Sequence, residues 1–178
     1  MGLLDGFDWA AHGARLRELY ADAYKEIFGL AYADANGELS TNVSFDVSNP
    51  AIKRALDRLG KEITGVANTT RDDIMRLVDR QTEEGWSMGE LAKAILEQGD
   101  INSVSRAAMI ARTESATAYN VGATYAYEDA GVTHVEVFDG DGDAECASVN
   151  GTTQTLEWAR ANPTGHPNCV RAFGAIVE

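Results

Sequence analysis

The softest donor atoms in the chain belong to Cys146, His166 and Cys169, which fall at the spacing Cys-x19-His-x2-Cys. A strand-turn-strand unit would bring them around a tetrahedral cation such as zinc, which takes thiolate, imidazole and carboxylate donors. Three ligands leave a tetrahedron one short. The acidic run Asp139, Asp141, Asp143 just before Cys146 offers a carboxylate oxygen, and Asp141 is taken as the fourth candidate.

The same residues admit other chemistry, and the sequence leaves these readings open beside the metal. Cys146 and Cys169, the only two cysteines, can be buried small hydrophobes, as free cysteines usually are. A disulfide between them would stabilise by roughly 3 kcal/mol by restricting the unfolded chain, in an oxidising compartment. Cys169 and His166 share a turn, as a nucleophile and its base would. Against that, Pro167 stiffens the turn, no third residue is recognisable as an orienter, and the sequence has no glycine-rich phosphate loop or H-E-x-x-H pattern. The aspartate run begins like a calcium loop but puts Ala144 where glycine is required and Asn150 where a bidentate glutamate is required, so it reads as a solvated acidic turn. No residue is assigned a catalytic role, and the cofactor expectation is no cofactor or zinc.

Arg112 and Glu114 sit among small residues, Ala107, Ala108, Ala111, Ser115, Ala116, Ala118, Gly122 and Ala123. Two apart on a helix, they face different ways. Each is expected to fix a different neighbour, one of them the His-Pro-Asn-Cys turn that contains Asn168, so Arg112, Glu114 and Asn168 are the expected structural residues. The small residues around them would let another backbone approach closely.

The elements that must position these groups follow from periodicity. Leu16, Leu19, Tyr20, Ala23, Ile27 and Leu30 recur at steps of three and four, predicting an amphipathic helix over 9–35 closed by Asn36-Gly37. A polar loop over 37–49 follows, with a short alternating piece over 43–47 that could form a strand. Ser48-Asn49-Pro50 caps a helix over 50–65 with Ile52, Leu56, Leu59 and Ile63 on one face. Thr70 to Asp73 and Ser87 to Glu90 are capping-box spacings for helices over 70–85 and 87–99, and the longest helix spans 104–130, ended by Gly131. After that the period becomes two: a strand over 132–138, a loop over 139–146, a strand over 152–155, a helical turn over 156–161 and a last strand over 170–177. The expected fold is α+β, about five N-terminal helices followed by a small antiparallel β-rich C-terminal unit. Residues 1–48 form an arm and linker, and 49–178 a domain that is helical over 49–130 and β-rich over 131–178.

Fifteen Lys and Arg stand against 28 Asp and Glu, a net charge of −13, which repels nucleic acid and anionic lipid. Residues 131–178 carry only Arg160 and Arg171 as cations. No stretch approaches the apolar run of about 20 residues that a spanning helix needs. The sequence therefore reads as intracellular.

Three pieces carry a family resemblance. They are Glu84-Gly-Trp-Ser-Met-Gly-Glu-Leu-Ala-Lys-Ala-Ile95; Ala107 to Glu114 with Tyr119 and Asn120; and a C-terminal block of Val137 to Cys146, Asn150-Gly151, Leu156-Glu157 and His166-Pro-Asn-Cys-Val-Arg171. In this order they resemble the phage Mu F-like minor head protein family, the phage head morphogenesis proteins, over about two-thirds of the chain. Many members carry four thiols in the block. Here Val149 stands in the place of the second, and Val170-Arg171-Ala172 removes the last. The resemblance implies a structural role without catalysis: a minor capsid component at the portal vertex inside the head, partnered by the portal and other head proteins. It would lie near packaged DNA without binding it specifically, contact no membrane, and reside in the host cytoplasm during assembly and in the virion afterwards. The helix over 9–35, outside the matched region, is expected to be a docking arm. The competing class is a metal-dependent hydrolase or nuclease-like effector using Cys146, His166 and Cys169 beside the three aspartates.

Overall fold

A computed structural model describes residues 8–59, 104–140 and 143–177, with positions 76, 77, 80, 84, 87, 90 and 94 between them. Among the described residues, three helices precede a three-stranded antiparallel sheet interleaved with two short helices, the α+β order expected. Compactness divides the chain into Met1–Leu19 with Gly60–Ile110, and Tyr20–Leu59 with Ala111–Glu178. That differs from a boundary at 48/49, because residues 20–48 belong to the same compact unit as the C-terminal sheet.

In the first unit, Arg76, Leu77, Arg80, Glu84, Glu90 and Ala94 are helical. The capping box at Ser87 is reciprocal: Ser87 N–H donates to Glu90 Oε2 at 2.7 Å, and Glu90 N–H donates to Ser87 Oγ at 3.3 Å. The remaining residues of the helices expected over 70–85 and 87–99 lie outside those described.

Helix α1 (Trp9–Leu39), which belongs to the second unit from Tyr20 on, runs past Asn36-Gly37 and ends where Ser40 adopts φ 53°. Asn36 does not stop the helix because its side chain reaches forward instead. Its Oδ1 accepts from Val43 N–H at 2.8 Å and its Nδ2 donates to Val43 O at 2.9 Å. The amide thus serves Val43 as a strand partner would, and residues 43–47 form no strand. Phe45 packs instead on Tyr32 and Phe28, with ring centroids 5.4 and 6.2 Å apart.

The buried stripe of α1 is Tyr24, Phe28, Ala31, Tyr32 and Ala35. This corrects the face expected from periodicity, since Leu30 is 60% exposed. The partner decides the face. Helix α3 (Val104–Asp129) presents Gly122, where an added Cβ would lie 3.1 Å from both Ala31 Cβ and Phe28 Cα. The small-residue stretch admits the α1 backbone, and a leucine stripe would not fit so shallow a notch. Hydrogen bonds pair Tyr24 with Glu114, Asp34 with Tyr119, and Glu38 with Tyr127. These pairings rise together along both helices, so α1 and α3 run in the same direction.

Helix α2 (Pro50–Arg58) starts at Asn49, whose side chain accepts from Ala51 N–H, and buries Ile52 and Ala55. It ends earlier than the expected 65 because Leu59 turns extended and is itself buried. Helix α3 closes at Gly131, φ 84°, with Val132 N–H on Tyr127 O and Gly131 N–H on Glu128 O, both at 2.9 Å.

The chain then enters β1 (His134–Phe138), helix α4 (Ala144–Val149), β2 (Thr153–Thr155), helix α5 (Leu156–Ala161) and β3 (Ala172–Ala175). The sheet order is β2-β1-β3, with Val135 opposite Gln154 and Ala175, and Val137 opposite Phe173. Val135 and Val137 are fully buried on the inner face, as alternation predicted. The outer edge of β3 is capped from both long helices: Glu38 Oε1 accepts from Ala175 N–H at 3.0 Å, and Tyr127 OH donates to Phe173 O at 3.1 Å. That blunts an otherwise free strand edge. The loop expected over 139–146 is shortened by α4, which begins inside it.

Candidate metal centre

Asp143 and Cys146 explain the start of α4. Asp143 is the N-cap, and its Oδ1 accepts from the N–H of Cys146 three residues on, at 2.8 Å. Cys146 is thereby fixed on the first turn with its thiol inward and fully buried. Cys169 arrives from the other side on the turn 165–169, closed by Cys169 N–H on His166 O at 3.2 Å. The turn depends on Gly165, where a Cβ would meet Arg171 Nη2 at 2.9 Å and Cys146 Sγ at 3.4 Å. Asn168 takes φ 69° at its apex.

Cys146, His166 and Cys169 consequently present one donor atom each, all within 4.8 Å of one another. The Cys146 and Cys169 sulfurs are 4.0 Å apart, and Cys146 Sγ lies 3.3 Å from His166 Nε2. A zinc tetrahedron with bonds of about 2.3 Å to sulfur and about 2.0 Å to nitrogen has edges of about 3.8 and 3.5 Å. Both edges at Cys146 are within a few tenths of an ångström of those values, and the three donors together could hold such an ion. Both cysteines are free; their separation is about twice a disulfide bond length.

The imidazole is oriented for ligation. His166 Nδ1 sits 2.9 Å from Pro167 O, a pure acceptor, and Nε2 sits 2.8 Å from Asp143 Oδ2. A neutral ring has one N–H and here faces two acceptors. Both contacts are favourable only if each nitrogen carries a proton or if Nδ1–H donates to Pro167 while Nε2 faces a metal ion, the usual arrangement of a ligating histidine. Hydrogen bonds from the Cys146 backbone and side chain, with His166 adding to them, hold the Asp143 carboxyl at about 2. Burial first, then the neighbouring Asp139, Asp143 and Cys169, pushes the Cys146 thiol well above its ordinary range. A divalent cation bound there would take the thiolate and displace its proton into solvent.

This geometry is unlike a nucleophile triad. His166 turns the same nitrogen to Cys146 and Asp143, whereas a triad uses one ring nitrogen for each.

A second ring of polar contacts holds the ligands in place. Asp139 is buried and accepts from Arg171 Nε at 2.7 Å, while Cys169 Sγ lies 3.7 Å from its Oδ1. Arg171 Nη1 also donates to Asn162 O at 3.0 Å, and its guanidinium lies 5.7 Å from the Trp158 ring centre. From α3, Asn120 Nδ2 donates to Pro163 O at 2.7 Å and Arg171 O at 2.8 Å. Thr113 Oγ1 accepts from Asn168 N–H at 2.8 Å, and Arg112 donates to Asn168 Oδ1. Glu114 turns the other way, to Tyr24 OH at 2.6 Å.

Of the four candidate ligands, three converge, and Asp141 lies outside the described residues. Sequence reasoning named Asp143 in the acidic run that offers a carboxylate but took Asp141 from it, though Asp-x-x-Cys is the N-cap spacing and could have singled Asp143 out. It also passed over Asp139, Arg171 and Asn120 as supports, which no local pattern joins. Among the described residues, no helix is long and apolar enough to cross a membrane. Comparison with protein-family models, curated proteins and solved structures finds no match.

Proposed function

We propose that the chain is a phage minor head protein of the Mu F-like kind, a structural component at the portal vertex inside the head, whose C-terminal unit is closed by zinc at Cys146, His166 and Cys169. One observation carries this reading: the separate pieces of the resemblance bond to each other. Arg112, Thr113 and Asn120 of the long-helix piece hold Asn168 and Arg171 of the C-terminal block. Residues that share a resemblance only by coincidence of composition have no reason to meet. The charge of −13 fits a protein that stays beside packaged DNA without adhering to it.

The hydrolase reading draws less support, because both thiols are buried and His166 is not placed between Cys146 and an orienting carboxylate. Capture of the tagged full chain with the portal ring of the phage that encodes it tests the head-protein role. Retention of the ring after nuclease treatment supports it, and a chain that captures neither portal nor other head proteins sinks it. Metal analysis tests the clasp separately: stoichiometric zinc lost in Cys169→Ala is expected, and a folded, ion-free wild-type chain refutes it.

A further inference from the structure

We infer that Asp143 is the fourth ligand of this centre, completing a set of two thiolates, one imidazole and one carboxylate for a borderline-soft divalent cation; this rests on the zinc reading above. The two oxygens of Asp143 have separate tasks. Oδ1 accepts from Cys146 N–H at 2.8 Å and Oδ2 points at His166 Nε2, also 2.8 Å away. The capping bond fixes the carboxylate rotamer, so Oδ2 lies beside the same imidazole nitrogen that approaches the Cys146 thiol at 3.3 Å. A tetrahedral ion would set that nitrogen and oxygen about 3.3 Å apart, a shift of about half an ångström from the geometry present.

Asp139 is the competing carboxylate nearby, and it is otherwise committed. Its Oδ2 takes Arg171 Nε at 2.7 Å, and the two side chains form a buried ion pair. Its charge is offset by Arg171. Asp143 thus links the helix cap and the ion: the residue that starts α4 also binds what ties α4 to the turn 165–169.

The test uses the full chain and two variants, Asp143→Asn and Asp141→Asn, titrated with Co2+ alone and then competed with Zn2+. Asparagine keeps an acceptor for the Cys146 N–H, so the cap survives while the anionic ligand goes. Wild type and Asp141→Asn are expected to share one intense visible cobalt–thiolate spectrum and one zinc affinity. Asp143→Asn should bind zinc at least about 10–100-fold more weakly, with a weakened, shifted cobalt band. Asp143→Ser, which also caps, repeats the measurement if the asparagine variant misfolds, and far-UV circular dichroism of the metal-free proteins reports the fold. An unchanged Asp143→Asn overturns the inference, as does a loss confined to Asp141→Asn. A wild type that binds neither Co2+ nor Zn2+ refutes the metal centre itself, a distinguishable result.

Discussion

The α1–α3 contact and the C-terminal clasp lie in one compact unit but are held together differently. The helix contact is redundant: Phe28, Ala31, Tyr32 and Ala35 are buried along a small-residue face, and four tyrosine–carboxylate bonds run along it, at Tyr24, Tyr32, Tyr119 and Tyr127. The clasp is convergent. A few polar groups, each with several partners, hold a turn that has little apolar surface of its own. Redundant contacts lose stability in small steps, whereas convergent ones leave buried polar groups stranded when one member goes.

Arg171 is the sharpest test. Its side chain and that of Asp139 are 4% and 0% exposed. Arg171→Met leaves Asp139 buried without its cation, and should cost about 3–5 kcal/mol by chemical denaturation. The double variant Arg171→Met with Asp139→Leu should recover part of that loss, because two apolar groups need no partner. If the single variant costs no more than an exposed substitution, the clasp is not convergent in the sense argued.

On the helix side, Gly122→Val tests whether close approach sets the contact. The added carbons would push against Phe28 and Ala31 at 3.1 Å, and overpacking of this size costs about 1–3 kcal/mol. Gly122→Ala adds only the Cβ and gains about 1 kcal/mol in helix propensity, so it should fall between wild type and valine. Equal stability for all three would mean that the helices can part there without loss.

The contrast also explains what the sequence made legible. Period-two alternation and turn residues located β1, β2 and α5 closely, since each is a local signal. The Cys-x19-His-x2-Cys spacing identified residues that do converge, because ligand types are few, but they are carried by helix α4 and the turn 165–169 and not by the strand-turn-strand unit expected. The buried face of α1 was not legible: apolar residues occur on more than one side of that helix, and Gly122, 94 positions after Phe28, selects among them. Asp143 was hidden for a related reason, being one of three equivalent-looking aspartates until α4 made it a cap. Where a local rule has one solution, the sequence states it; where a distant partner chooses among several, it does not.

The smallest expected effect concerns the tyrosines, and it separates burial from convergence. Burial first, then the bond to Asp34, raises Tyr119 to about 12, and burial with Asp129 and Glu38 places Tyr32 and Tyr127 higher still. The folded values exceed the unfolded one of about 10. The stabilisation these phenols give is therefore fully present below about pH 10 and is lost as pH rises through the folded values. Melting temperature should hold to about pH 10 and then fall, with phenolate absorbance in the near ultraviolet rising together with unfolding rather than before it. Tyr119→Phe, at a partly exposed site, should change stability at neutral pH by no more than about 0.5 kcal/mol, yet make the alkaline decline shallower. Tyrosines that all ionise near their ordinary value of about 10 in a chain that stays folded would show the α1–α3 bonds to be dispensable, leaving the packing at Gly122 as what joins the two helices.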